Sequence, residues 1–160
     1  AYKPYLLHRL DRETSGILLM GKFPRHRKEL EGIFQDARTK KTYHALIKDV
    51  PKHRSGVINF PLEARSTKKK VPATSRYRVL KTMKQSALVE VEIETGRKHQ
   101  IRKHFSMIHH PLVMDRMYGD FSFNRTFKKR TGMHSPFLRA HLINFFHPLL
   151  QKMIAIKAPE

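Results

Sequence analysis

The sequence predicts an α+β fold: a largely antiparallel (mixed) central sheet with a few flanking helices. Three observations predict it. Residues 88–95 alternate Val89, Val91 and Ile93 with Glu90, Glu92 and Glu94, the period of a strand with one buried and one wet face. Further strand-like runs stand at 41–47, 74–81, 138–146 and 152–157, so strands dominate. Helical spacing is confined to two or so stretches, interspersed irregularly among the strands, the pattern of an α+β domain.

In chain order, the apolar run at 17–22 reads as a short buried strand entered through the turn Thr14-Ser15-Gly16. Phe23-Pro24 starts a helix to about residue 37, with Leu30, Ile33, Phe34 and Ala37 as its apolar stripe and Arg25, Arg27 and Lys28 in its first turn. The β-rich run at 41–47 is the next strand. Residues 51–70 read as irregular, punctuated by Gly56 and Pro61, before extended structure resumes at 74–81. Gly96-Arg97 turns the chain out of the 88–95 strand. A helix then spans 98–109 with Ile101, Phe105 and Ile108 on one side, and His110-Pro111 ends it. Residues 115–120 form a loop, and 122–136 form a strongly basic loop region in which Arg125, Lys128, Lys129 and Arg130 are interleaved with Phe123 and Phe127.

The 160 residues fit one domain, and 39% hydrophobic with 9% aromatic residues suffices for a core. The absence of cysteine excludes a disulfide scaffold and cysteine-based zinc or redox sites, and suits a reducing, cytoplasmic setting. No apolar run approaches the roughly 20 residues needed to span a bilayer, so no membrane is expected. Charge is the loudest signal: 33 Lys and Arg oppose 13 Asp and Glu, a net of +20. An excess of this size works against compactness and calls for a polyanionic partner. Because the basic residues are spread along the fold and not gathered on one amphipathic helix, that partner is nucleic acid.

Two clusters carry the chemistry. The first is His8-Arg9-Leu10-Asp11-Arg12-Glu13-Thr14-Ser15-Gly16. Guanidiniums on either side favour the ionised carboxylate, so Asp11 is either a nucleophile or base held as an anion, or a member of a surface ion pair. The second is Gly96-Arg97-Lys98-His99-Gln100-Ile101-Arg102-Lys103-His104, at a strand-to-helix junction where backbone N–H groups and guanidiniums converge. That suits phosphate or carboxylate binding, and equally a solvated basic helix start.

The first cluster resembles the HRLDxxTSG signature of the RluA-like family of RNA pseudouridine synthases, and the second resembles that family's GRxHQIRxH. Lys41-Thr42-Tyr43-His44-Ala45-Leu46 is similar to its KxYxAL strand. Leu138-Arg139-Ala140, Leu142 and Phe145-Phe146-His147-Pro148 are similar to its closing LHAxxLxFxHP. His110-Pro111-Leu112-Val113-Met114-Asp115 with Tyr118-Gly119-Asp120 is similar to HPIxGDxxYG. The five elements stand in family order along nearly the whole chain. Met114 replaces the usual glycine and Arg139 the usual histidine, with consequences expected only for packing.

The resemblance implies a pseudouridine synthase catalytic domain, here lacking the family's opening strand and the small RNA-binding domain that many relatives carry upstream. It implies Asp11 as the catalytic carboxylate, Arg102 paired with it and keeping it ionised, and Tyr43 packed on the uracil and able to take the C5 proton. Arg9 either fills the stack vacated by the flipped base or contacts phosphate. Arg12, Arg97, His99 and Gln100 are expected at the RNA, with Lys68, Lys69 and Lys70 and the run Arg125, Lys128, Lys129 and Arg130 along its backbone. No cofactor and no metal are expected, because the isomerisation is redox-neutral. The substrate is expected to be ribosomal RNA, with transfer RNA as the alternative, and the enzyme a monomer. Three rivals remain: a non-catalytic basic RNA-binding module, a metal-dependent nuclease built on the 11 histidines, and a synthase fold without activity. The histidine spacings do not suit the second.

Overall fold

The alternation at Val89, Val91 and Ile93 places β9 (Ser86–Ile93) inside the sheet, its apolar face fully buried. In the computed structural model, which describes residues 3–64 and 67–159, β9 pairs antiparallel with β4 (Lys40–Lys48) on one side and with β8 (Ser75–Met83) on the other. Val91 stands opposite both Tyr43 and Tyr77. Beyond β8 lies the edge strand β5 (Ser55–Ile58). Beyond β4 lie β10 (Leu138–His147) and β11 (Lys152–Lys157). The order β11-β10-β4-β9-β8-β5 is antiparallel throughout, and the two-residue strand β2 (Ser15–Gly16) joins β10 in parallel. The architecture is therefore the mixed, mostly antiparallel sheet with helices that the sequence predicts.

The buried face carries two apolar clusters. Ala45, Ile47, Val79, Val89, Val91 and Ile93 pack under Ile101 and Phe105 of α2 (Gln100–Met107), whose apolar side is the expected one, with Ile108 against it. Ile17, Ile33, Ala140, Ile143 and Phe145 form the second cluster. Tyr43 packs against both, so it marks the seam between them. On the opposite face Glu90 and Glu92 are half-buried by cross-strand partners: Arg78 at 2.9 Å and His44 at 3.7 Å to Glu90, and Lys40 at 3.7 Å to Glu92.

Several expected elements differ. Of the strand expected at 17–22 only β3 (Met20–Gly21) forms, paired with β1 (Tyr5–Leu6), while β2 ends just before the run. Ile17 drops into the second cluster while Leu18 and Met20 face outward, so the run cannot lie in one sheet. The helix expected from residue 23 forms as α1 (Arg27–Glu31) between two 3₁₀ turns, Pro24–His26 and Gly32–Gln35. Leu30, Ile33 and Phe34 pack inward, but Ala37 lies beyond the helical turns and is exposed. The stretch 51–70 is not irregular throughout, since β5, β6 (Leu62–Glu63) and the start of β7 (Lys70–Val71) fall in it, the last two as a small ladder; residues 65 and 66 lie outside the described residues.

The largest correction is the basic stretch after Asp120. It is a helix, α3 (Phe121–Thr131). The Asp120 carboxylate caps it by accepting the Phe123 N–H at 2.9 Å, and Gly132 closes it in the left-handed region at φ 72°. Phe127 is buried with Val113 and Met114, and Phe123 packs beside it. Among the described residues no helix is long and apolar enough to cross a membrane.

Candidate active site

A cavity of about 790 Å³ opens at the seam between the two clusters. Asp11, Tyr43 and Arg102, which come from three distant segments, all line it.

The wall that carries Asp11 is a loop. The Thr14 N–H donates to the Asp11 carbonyl at 2.9 Å, closing a turn around the carboxylate. His8 accepts the Leu19 N–H through Nε2 at 2.9 Å and lies on Phe34 with ring centroids 4.4 Å apart. Burial, aided by the Lys41 charge, pushes the His8 pKa down to about 4, so the ring is neutral at pH 7 and free to accept. Gly16, at φ 106°, lets the loop join β10: a Cβ there would collide with the Ala140 backbone. Arg9 and Arg12 stand exposed at the cavity rim.

Tyr43 projects from β4 into the cavity floor. Burial first, and the Asp11 charge second, push its phenol up to about 12, so it stays protonated across the neutral range. Beside it Lys41, buried and also facing Arg97, is pushed down from the usual lysine value by its burial and by that guanidinium.

The expected Asp11–Arg102 ion pair is not formed. The Arg102 guanidinium is engaged with Asp115, Nε to Oδ2 at 2.6 Å and Nη2 to Oδ1 at 2.9 Å. Asp115 is fully buried and its Oδ1 also accepts the N–H groups of Met117 at 2.8 Å and Tyr118 at 3.0 Å. Burial alone would raise its pKa; the hydrogen bonds from Arg102, Tyr118 and Met117 override that and hold the carboxylate ionised. A planar fork can serve one carboxylate in this bidentate way, and the buried one takes it. Asp11 acts on Arg102 only through its charge, which raises the Arg102 pKa behind the larger effect of Asp115.

His99, expected at the RNA, stands instead against the Asp11 carboxylate: its Nε2 lies 3.8 Å from Asp11 Oδ1. Burial lowers the His99 pKa, with Asp11 pulling it up and Arg102, Lys98 and Lys103 pushing it down. Gln100 is a second correction. Its side chain is buried and fully engaged, accepting from Thr95 Oγ1 at 2.7 Å and the Arg97 N–H at 3.1 Å, and donating to the Thr74 carbonyl at 2.9 Å and Ser75 Oγ at 3.3 Å. It locks the 95–97 turn to β8 and has no donor left for RNA. Arg97 is exposed at the rim.

Lys68, Lys69 and Lys70 are exposed on the β6–β7 hairpin and do not line the cavity, although the charge of Glu63 on that hairpin reaches Tyr118. Arg125, Lys128, Lys129 and Arg130 are exposed on α3, also away from the cavity lining, with Arg130 donating to Gln85 Oε1 at 2.7 Å. The helix nonetheless serves the site. Asn124 accepts the Met114 N–H at 2.8 Å and donates to the Asp115 carbonyl at 3.2 Å, bracing the loop that holds Arg102. Met114 itself sits at φ 66°, so the residue found where glycine is usual carries a conformation that glycine favours.

Sequence reasoning missed His8, Lys41, Asp115 and Tyr118 as site residues. Asp115 and Tyr118 lay in a segment already singled out, and an aspartate followed three residues later by tyrosine offers N–H groups to a carboxylate in a tight turn.

A family model described as RNA pseudouridylate synthase matches residues 1–107. The ribosomal large subunit pseudouridine synthase C of Vibrio cholerae is 35% identical over 161 residues, covering 96% of this chain and 51% of that protein. The tRNA pseudouridine synthase C of the same organism is 31% identical over 173 residues, covering 95% of this chain and 70% of that protein. The chain thus spans about half the length of the ribosomal relatives it matches. Among solved structures, the human RNA Pseudouridylate Synthase Domain Containing 1 superposes with a TM-score of 0.82 at 20% identity, over 100% of this chain and 69% of that one. The human RNA Pseudouridylate Synthase Domain Containing 4 gives 0.80 at 24%, over 98% and 72%. At these identities the two structures establish a shared fold.

Proposed function

The chain belongs to the RNA pseudouridylate synthase family, and on that footing we propose that it isomerises uridine to pseudouridine within structured RNA. One observation carries the reading: Asp11, Tyr43 and Arg102 converge on one open cavity whose volume suits an extruded nucleoside.

Pseudouridine formation breaks the N1–C1′ bond, turns the uracil and joins C5 to C1′, after which C5 gives up its proton to solvent and N1 takes one up. Positive charge develops on the ribose, and Asp11 meets it, either by attack at C1′ or by taking the 2′ proton. Both acts use the carboxylate as an anion, and the Arg102 charge faces it across the cavity. Tyr43 packs on the uracil as a protonated phenol; with its pKa near 12 it is a poor source of phenolate for the C5 proton at neutral pH. The apolar walls from Ile93, Ile101 and Leu138 keep water from intercepting the open sugar. No redox step occurs and the reaction calls for no cofactor.

Arg9, Arg12 and Arg97 at the rim meet the RNA, Arg9 filling the vacated stack or contacting phosphate. Lys68, Lys69 and Lys70 with the α3 cations extend the backbone contact, so affinity falls steeply with salt. The substrate we favour is ribosomal RNA, because the net charge of +20 suits a phosphate-dense target; transfer RNA is the alternative, favoured by the fuller coverage of the transfer-RNA relative. In this reading the 160 residues act as one domain, as a monomer in the cytoplasm.

The test is release of tritium from unmodified large-subunit ribosomal RNA and transfer RNA transcripts labelled at uracil C5. Release from the ribosomal transcript by the wild type, and none by Asp11→Asn, is the expected result. Release from transfer RNA alone moves the substrate; release from neither overturns the reading.

A further inference from the structure

Asp11, Tyr43 and Arg102 leave one contact at the cavity without a role. His99 presents Nε2 to Asp11 Oδ1 at 3.8 Å, while its Nδ1 lies 3.0 Å from the Tyr118 hydroxyl. The ring is carried on a backbone at φ 55°, in the left-handed region that caps α2, and meets the Tyr118 ring edge-on at 5.6 Å. Tyr118 is fixed in turn: its N–H donates to Asp115, and the Arg102 guanidinium lies over its ring at 5.1 Å. One buried carboxylate, Asp115, therefore anchors both the arginine whose charge faces Asp11 and the tyrosine bonded to His99.

A neutral imidazole carries a single N–H, and the partner of one nitrogen decides which atom holds it. A phenol donates to Nδ1 only when the proton sits on Nε2, the atom facing Asp11. We infer that Tyr118 and His99 form an orienting pair for Asp11, the Tyr118 O–H fixing the Nε2–H tautomer so that this N–H dipole, 3.8 Å from Oδ1, favours the carboxylate turned toward the ribose. The inference rests on the pseudouridine synthase reading. His99 and Tyr118 are positioning residues: they act through Asp11. It removes His99 from the RNA-contact set, because the nitrogen that would reach a phosphate is turned to the carboxylate.

The test combines single-turnover tritium release from the C5-labelled ribosomal transcript with filter binding of the same transcript. Tyr118→Phe is expected to slow release about 10-fold, as loss of an outer partner of a histidine does elsewhere, with RNA affinity unchanged. His99→Ala is expected to slow it further. His99→Gln restores part of the rate, since an amide N–H donates without a tautomer to fix. In that background Tyr118→Phe is expected to cost nothing more. An equal loss from Tyr118→Phe in both backgrounds, full rate in His99→Ala, or a loss explained by weaker RNA binding overturns the pair. A wild type that releases no tritium, like Asp11→Asn, sinks the synthase reading itself; an active wild type with an unaffected His99→Ala sinks only the orienting pair.

Discussion

On one wall of the cavity, the chain from His8 to Gly16 holds two residues of strand and is tied down by a few backbone bonds: Leu7 to Leu19 at 3.1 Å, Thr14 to Asp11 at 2.9 Å and Ile17 to Ala140 at 3.1 Å. On the other wall, α2 is cross-braced through its own side chains. Gln100 reaches β8, His104 bonds Ser75 Oγ at 2.9 Å and the Phe60 carbonyl at 3.0 Å, and Arg102 is clamped by Asp115, which Asn124 of α3 supports. The acid thus sits on the lightly held wall and the fixed positive charge on the rigid one. Sparse ties permit local opening at small free-energy cost, whereas a buried, fully bonded network opens only with the whole fold. On the proposed function, a carboxylate that meets an incoming ribose gains from such freedom, and the guanidinium that faces it gains from immobility.

The sharpest way to break this comparison is to alter each wall separately. Asp11→Asn removes the anion and disturbs no buried network, since among the described residues the Asp11 side chain contributes only the 3.8 Å contact to His99. Activity is expected to fall at least about 10³-fold, with the melting temperature unchanged; single-turnover tritium release and a thermal melt check both. A large drop in melting temperature would show that the loop wall is structural after all. Asp115→Asn on the rigid wall has the other profile. It leaves the Arg102 charge buried without its partner, and a loss of about 3–5 kcal/mol in urea unfolding is expected, with activity falling alongside. A loss under about 1 kcal/mol would dismantle the claim of a braced wall.

The same contrast explains what was legible in the sequence. Strands such as β9 and β4 and the apolar side of α2 were readable because periodicity decides them locally: Val89, Val91 and Ile93 have one face to hide. That Asp11, Tyr43 and Arg102 share one site was readable from the resemblance alone. Their pairing was not. Asp11 and Asp115 are both loop carboxylates, and only the tertiary fold decides which of them is buried beside Arg102. Gln100 misled in the same way, because a polar residue at a helix start is equally suited to solvent, to RNA or to an inward network. The helix α3 escaped notice because its charge density hides a narrow apolar stripe of Phe123 and Phe127; the Asp120 cap and the Gly132 stop were the signals available.

Smaller effects refine the picture of the loop wall. Gly16→Ala forces a side chain into the left-handed backbone at φ 106° and against Ala140, and a loss of about 2 kcal/mol is expected in urea unfolding. Because the lost contact is the parallel β2–β10 pair, activity should fall more than stability, as the Asp11 turn loses its anchor. Equal stability in wild type and Gly16→Ala would mean that the loop finds its place without that pair.

The smallest effect concerns acid. His8 holds the loop wall by accepting the Leu19 N–H, which it can do only while neutral. Its pKa in the fold is near 4 against 6.5 for an unperturbed histidine, chiefly through burial. The unfolded chain therefore takes up a proton that the folded one refuses as pH falls below 6.5. Its contribution is present above that value and is lost on the way down to about 4. The expected loss from His8 is about 1 kcal/mol by pH 5.5, read as a falling urea midpoint. His44, His99 and His104, all lowered by burial, add to the wild-type slope in the same direction. His8→Gln keeps an acceptor for Leu19 and cannot titrate, so its midpoint should fall less steeply between pH 6.5 and 4 than the wild type's. If the two profiles run parallel, His8 does not resist protonation, and the loop wall owes its place to backbone bonds alone.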